Sequence, residues 1–155
     1  IAQKDTFCVL GANANKIIHN INFEKDHIII NPNFEKGLSS SIIKGIQFLQ
    51  KEYLNLKGVF ILLADQPAIH ISYLNEMIAL FRENPAKIIA SKYNSGFGVP
   101  ALISAFYFDD LLKIKGDKGA KTFLNRNLNV VLSPKKNTNL VDIDTQEQLK
   151  QFINS

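Results

Sequence analysis

The residues of this chain best suited to chemistry are carboxylates standing at the ends of apolar runs. Asp65 follows Gly58-Val59-Phe60-Ile61-Leu62-Leu63-Ala64 and precedes Gln66-Pro67. A β-branched and aromatic run broken by a carboxylate and a proline reads as a buried parallel strand that ends in a loop. In open α/β sheets ligands collect at that edge, so Asp65 at the strand's C-terminal tip suits a metal ion or phosphate chemistry. As a turn former before Gln66-Pro67 it would have a purely structural role. Asp142 and Asp144 form a second set, two residues apart in Leu140-Val141-Asp142-Ile143-Asp144-Thr145. In an extended segment their side chains share one face that a divalent cation can use. Thr145 and Gln148 make a capping box for a last helix, so one carboxylate could instead assist that cap.

Polar groups of another kind gather after Gly37. Ser39, Ser40 and Ser41 open a stretch in which Ile42, Ile43, Ile46 and Leu49 fall at helical spacing, which puts the serines at a helix N-terminus. Amides, hydroxyls and the positive end of the helix dipole would receive phosphate, ribose or a polar base edge there; a plain serine cap is the structural alternative. Two glycine-bearing segments, Gly98-Val99-Pro100 and Gly116-Asp117-Lys118-Gly119, allow close backbone approach to a ligand or simply tight turns. Asp117 reads as the N-cap of a helix carrying Ala120, Phe123 and Leu124. His19, His27 and His70 have no partner at metal-ligand spacing, and a lone Gly11 falls short of a dinucleotide fingerprint.

The elements that must position these groups alternate. Strands are predicted over Thr6–Leu10, His27–Asn31, the Gly58 run, Lys87–Ser91 and Asn129–Ser133. Helices are predicted around Lys16–His19, after the serines, from a Ser72 cap through Leu74, Met77, Ile78 and Phe81, through Phe106, Leu111 and Leu112, and at the C-terminus, docked by Leu149, Phe152 and Ile153. Tyr93–Pro100 reads as a loop and Pro134–Asn139 as a polar turn. Short connections between alternating strands and helices argue a mostly parallel, Rossmann-like sheet flanked by helices.

With 155 residues, 46% hydrophobic and 21% charged, the composition is that of one globular domain spanning 1–155. Net charge is +4 with scattered lysines, which argues against nucleic acid as a partner and leaves anionic small molecules. No apolar run is long enough to span a bilayer and the start has no signal-peptide layout, so the expectation is a cytoplasmic protein with no membrane partner. Cys8, the single cysteine, sits in an apolar run and reads as an inert thiol; Met77 reads as core.

Taken in order, Asn31-Pro32-Asn33-Phe34-Glu35-Lys36-Gly37-Leu38-Ser39-Ser40-Ser41-Ile42, Leu63-Ala64-Asp65-Gln66-Pro67, Gly98-Val99-Pro100-Ala101-Leu102, Gly116-Asp117-Lys118-Gly119-Ala120-Lys121 and Val141-Asp142-Ile143-Asp144-Thr145 follow one family's succession of motifs. The chain resembles the molybdenum-cofactor nucleotidylyltransferases over essentially its whole length. Gly37-Leu38-Ser39-Ser40-Ser41, in place of the Gly-Pro-Leu-Ala-Gly type of segment, makes it similar to the cytidylyltransferase branch.

The resemblance implies a nucleotide-diphospho-sugar-transferase-like fold and a magnesium-dependent transfer of CMP from CTP to the phosphate of a molybdopterin-type acceptor. It implies Asp65 and Asp144 as catalytic metal ligands with Asp142 beside them, and Gly37, Ser39, Ser40 and Ser41 against the nucleotide. Gly98, Val99, Pro100, Gly116, Asp117, Lys118 and Gly119 would border the acceptor. A molybdoenzyme or its chaperone would receive the product. The family's N-terminal strand, arginine- and lysine-bearing glycine loop and helix are absent here, so the expectation is a domain lacking its first βα unit of roughly 30 residues or more. Where the family often has Gly-His-Pro this chain has Gly98-Val99-Pro100. The alternative readings are therefore GTP as donor, a sugar or polyol phosphate as acceptor, and a non-catalytic nucleotide-binding accessory protein.

Overall fold

Apolar runs bounded by turn formers become short strands, and the amphipathic segments between them become helices that cover the sheets. The structure is a computed structural model that describes residues 5–136 and 138–154. In chain order it places β1 at Cys8–Leu10, α1 at Ala14–Ile18, β2 at Ile28–Ile30, α2 at Leu38–Glu52, β3 at Gly58–Ile61 and α3 at Ile71–Glu83. There follow β4 at Ile88–Tyr93, β5 at Gly96–Ser104, α4 at Phe108–Leu111, α5 at Lys121–Arg126, β6 at Val131–Leu132 and α6 at Gln146–Ile153. β1 and β2 pair in parallel as a two-stranded sheet. The other four run in the order β3-β5-β4-β6, with β5 antiparallel to both its neighbours and β6 parallel to β4.

The alternation of side chains along β4 explains the layering. Ile88 and Ala90 face a core shared with Ile46 of α2, Leu111 of α4 and Phe123 and Leu124 of α5. Ile89, one residue out of phase, faces the opposite core with Tyr73 and Met77 of α3. A strand buried on both faces reads as a continuous apolar run, as this one does. Within α2, Ile46 reaches the four-stranded sheet while the neighbouring Gly45 lies against β1, where an added Cβ would meet Val9 Cγ2 at 3.2 Å. One helix therefore spans both sheets.

Several expectations need correction. β3 is not a buried parallel strand: its direct partner is antiparallel β5, and all four of its residues are half-buried. Tyr93–Pro100 is not a loop. The chain reverses over Asn94 and Ser95 and returns at once as β5, pairing Tyr93 with Gly96 and Ser91 with Gly98. Pro100 fits inside this strand because the register then jumps to Ala90 opposite Ala101, leaving Val99 and Pro100, joined by a cis peptide bond, in a bulge where no ladder N–H is needed. The helix over Ile71–Glu83 starts at His70 rather than with a Ser72 cap, and Phe106 is 78% exposed rather than packed.

α6 begins at the capping box foreseen, Thr145 and Gln148 bonding each other's backbone N–H groups. It buries no residue, however, and Leu149, Phe152 and Ile153 remain exposed. A cavity of about 250 Å³ lined by Ala68, Val141, Ile143, Gln148 and Phe152 lies between this helix and the chain before it. Of the polar turn expected over Pro134–Asn139, Asn137 falls outside the described residues. Among the described residues no helix is long and apolar enough to cross a membrane.

Two outcomes check this packing. A Cβ at Gly58 would lie 2.8 Å from the Ile103 carbonyl oxygen and 2.8 Å from Phe81 Cζ. Gly58→Ala should therefore lower the unfolding free energy in urea by about 1–3 kcal/mol, the usual cost of overpacking. Burial pushes the Cys8 thiol above its ordinary pKa, so less of it is thiolate at pH 8. Its alkylation by iodoacetamide, followed by intact mass, should be slower than that of free cysteine; an equal rate would contradict the burial.

Candidate functional site

β3 ends at Ile61, and the chain continues through Leu62 to Ala64 into the turn that carries Asp65. Asp65 thus lies beyond the strand, not at its tip. Two bonds bring the C-terminal segment to it. The Ile143 N–H donates to the Asp65 carbonyl at 2.8 Å, and Gln66 Nε2 donates to Asp142 Oδ1 at 2.7 Å. The same Nε2 donates to the Tyr93 hydroxyl at 3.0 Å, while that hydroxyl donates to the Val99 carbonyl and Ser91 Oγ donates to the Pro100 carbonyl at 3.0 Å. Side chains therefore satisfy both carbonyls that the β5 bulge releases, and one of those side chains leads back to Asp142.

Asp65 Oδ1 is buried without a hydrogen-bond partner. Loss of hydration raises the Asp65 carboxyl above its ordinary pKa, its own backbone N–H partly offsets this, and the charges of Asp142 and Asp144 raise it further. Three carboxylates near one another, none of them in an ion pair among the described residues and one with a buried, partnerless oxygen, favour a cationic guest. Among the described residues, no three His, Cys, Asp or Glu side chains converge tightly enough to hold a metal ion by themselves. A cation here would complete its shell with water or substrate oxygens, the habit of magnesium.

The second group of predicted residues surrounds the start of α2. Gly37 has φ +90, and a Cβ there would sit 2.2 Å from Asp117 Oδ1 and 2.7 Å from the Gly116 carbonyl carbon, so only glycine fits. The Ser39 N–H donates to the Gly116 carbonyl at 3.1 Å and the Ser40 N–H to the Gly37 carbonyl at 3.0 Å. These two amides are not open to a ligand as expected. Asn31, 2% exposed, donates from Nδ2 to Ser40 Oγ at 2.8 Å and to Ser41 Oγ at 3.0 Å. Ser40 Oγ in turn bonds the carbonyls of Gly37 and Asn33. Ser39 differs: it is 1% exposed and its Oγ has no partner.

The two segments expected to border the acceptor have different neighbours. Gly98, Val99 and Pro100 belong to β5 and lie against Tyr93 and Ser91. Gly116 and Asp117 touch Gly37, Gly119 touches Leu38 and Ile42, and the exposed Lys118 lies on the same turn. Asp117 caps no helix, because α5 starts at Lys121 with Ala120 as its cap residue. Sequence reasoning missed Asn31, Gln66 and Tyr93. Gln66 reaches partners 27 and 76 residues away, and no local spacing reveals such a connection.

Residues 3–131 match the family described as the MobA-like NTP transferase domain. The chain is similar to the purine catabolism protein PucB of Bacillus subtilis (strain 168), 33% identical over 117 residues, which is 74% of this chain and 55% of PucB. The chain thus spans little more than half of that relative's length. It is also similar to the nicotine blue oxidoreductase of Paenarthrobacter nicotinovorans, 25% identical over 94% of this chain and 73% of that protein. In fold it resembles the crystal structure of Rv0371c from Mycobacterium tuberculosis H37Rv, with a TM-score of 0.74 and 22% identity over 95% of this chain and 74% of that one.

Replacing the Gln66 amide tests the junction itself. Gln66→Ala takes a donor from both Tyr93 and Asp142, and chemical denaturation should show a loss of about 1–3 kcal/mol. An unchanged midpoint would mean that the junction does not hold the C-terminal segment.

Proposed function

The chain belongs to the MobA-like NTP transferase family, and on that premise we propose that it transfers CMP from CTP to the phosphate of a molybdopterin-type cofactor. A terminal phosphate oxygen of the acceptor forms the new bond to the α-phosphorus, the bond from that phosphorus to the β-phosphate oxygen breaks, and pyrophosphate leaves with the electron pair. Such a reaction depends on positioning and charge neutralisation more than on a protein nucleophile. No Ser-His or Cys-His pair is required of the chain.

The observation that carries this reading is the buried, partnerless Oδ1 of Asp65 beside the charges of Asp142 and Asp144. These residues fit a divalent cation, and we assign magnesium to Asp65 and Asp144 with Asp142 nearby. When bound, the ion supplies charge neutralisation on phosphate oxygens. Asp65 would hold it from a turn fixed by the Gln66 and Ile143 bonds. Gly37, Ser40 and Ser41 would face the nucleotide, with Ser39, 1% exposed, supporting them from within. CTP is preferred to GTP on the Gly37–Ser41 segment.

Magnesium-dependent pyrophosphate release, measured with CTP and with GTP and with molybdenum cofactor as acceptor, tests the proposal. Release with CTP is the expected result; release with GTP alone overturns the choice of base, and none with either overturns the transfer. Asp65→Ala should abolish release. Its urea midpoint should be unchanged or slightly higher, since Asp65 Oδ1 has no partner and the carboxylate lies near the like charges of Asp142 and Asp144. Normal release by this variant would sink the assignment.

A further inference from the structure

A cleft of about 700 Å³ opens on the other side of Tyr93, within the usual size range of small-molecule sites. Its walls include Tyr73 of α3, Lys92 and Tyr93 at the end of β4, and Lys135, Lys136 and Thr138 from the segment after β6. We propose that this cleft is a binding site for a phosphoryl dianion, made by Lys92, Lys135 and Lys136.

The lysines converge from two parts of the chain, and no ion pair involves any of them among the described residues. Glu76 is a nearby carboxylate, but it makes no ion pair with them: one oxygen bonds backbone, and the other, Oε2, is buried without a hydrogen-bond partner. Its Oε1 accepts the backbone N–H groups of Lys135 at 2.9 Å and Lys136 at 3.5 Å. Thr138 Oγ1 accepts the His70 N–H at 3.4 Å. The backbone N–H groups of Lys135 and Lys136 are thus bonded to Glu76, while their ammonium groups are in no ion pair among the described residues. Ammonium groups around a concave wall recognise phosphate through charge-assisted hydrogen bonds and a focused field.

Position gives the site its role, which rests on the transfer reading above. Tyr93 lines the cleft, and its hydroxyl accepts from the Gln66 amide that also holds Asp142. The cleft is therefore two hydrogen bonds from the carboxylate set. A phosphomonoester held there would be the acceptor; a pyrophosphate held there would be the leaving product. Both present the same chemistry to the lysines.

Titration with phenyl phosphate, an aromatic phosphomonoester, followed by amide proton–nitrogen spectra and without nucleotide, tests the site. The amides of Lys92, Asn94, Lys135, Lys136 and Thr138 should shift, and affinity should fall with added salt. The triple variant K92A/K135A/K136A should bind at least tenfold more weakly, and K92R/K135R/K136R should recover most of the loss. The three side chains are exposed, so folding should be kept; the single variants K135A and K136A, each expected to weaken binding severalfold, serve if the triple does not fold. Unchanged affinity in the alanine variants, or shifts confined to Asp65 and its neighbours, would overturn the proposal. In turnover, a raised KM for the acceptor with KM for CTP unchanged identifies the acceptor phosphate, whereas weaker inhibition by pyrophosphate identifies the product. Because the titration needs no turnover, loss of the transfer reading would leave the test of the lysines standing.

Discussion

Both protons of one buried amide hold together the parts of this molecule that matter for its chemistry. Tyr93 spends its only hydroxyl proton on the Val99 carbonyl, and an ionised Asp142 can only accept. The group facing both must therefore be a donor twice over, which fixes Gln66 Nε2 in that place. Through it the turn after β3, the β4–β5 hairpin and the C-terminal segment meet at one point. The charges of Asp142 and Asp144 act on the Asp65 carboxyl because these bonds and the Ile143–Asp65 bond set the C-terminal segment beside the turn. Gln66 itself is 6% exposed, a depth at which an unmet donor is costly.

The hairpin end of this junction depends on an irregularity. A strand containing Pro100 cannot complete a regular ladder, and the bulge at Val99 and Pro100 frees two carbonyls. Ser91 and Tyr93 satisfy them with side chains from the partner strand. Tyr93 is thereby aligned with Gln66. The local defect of the sheet is thus what orients a residue shared by the carboxylate set and the lysine-lined cleft.

Much of this order was legible in the chain itself, for reasons that differ by residue. The apolar run at Ile88–Ala90 and the helical stripe with Met77 declare burial directly, and the structure buries Ile88, Ile89, Ala90 and Met77 completely. The Thr145–Gln148 box is a contact over three residues, so its spacing is its signature. Asp65 was legible as a carboxylate out of place. What could not be read depends on contacts across the fold. Gly96, Gly98 and Pro100 signal a loop locally, and only the pairing with β4 makes them a bulged strand. Asn31 looked like the end of a strand, yet its amide is what occupies Ser40 and Ser41. Leu149, Phe152 and Ile153 have the periodicity of a docked helix, and periodicity does not say whether anything lies opposite.

That last helix divides the carboxylate set between two regimes of local stability. An eight-residue helix with no buried residue rests on its cap and on a partly exposed face that includes Phe152, and helices that short are marginal when alone. Its amide protons should exchange from a sub-global opening of small free energy, while those beside Met77 and Ile89 wait for global unfolding. Asp144 adjoins the cap of this helix, whereas Gln66 is buried. Opening of α6 alone should therefore be felt at Asp144 before it is felt at Gln66.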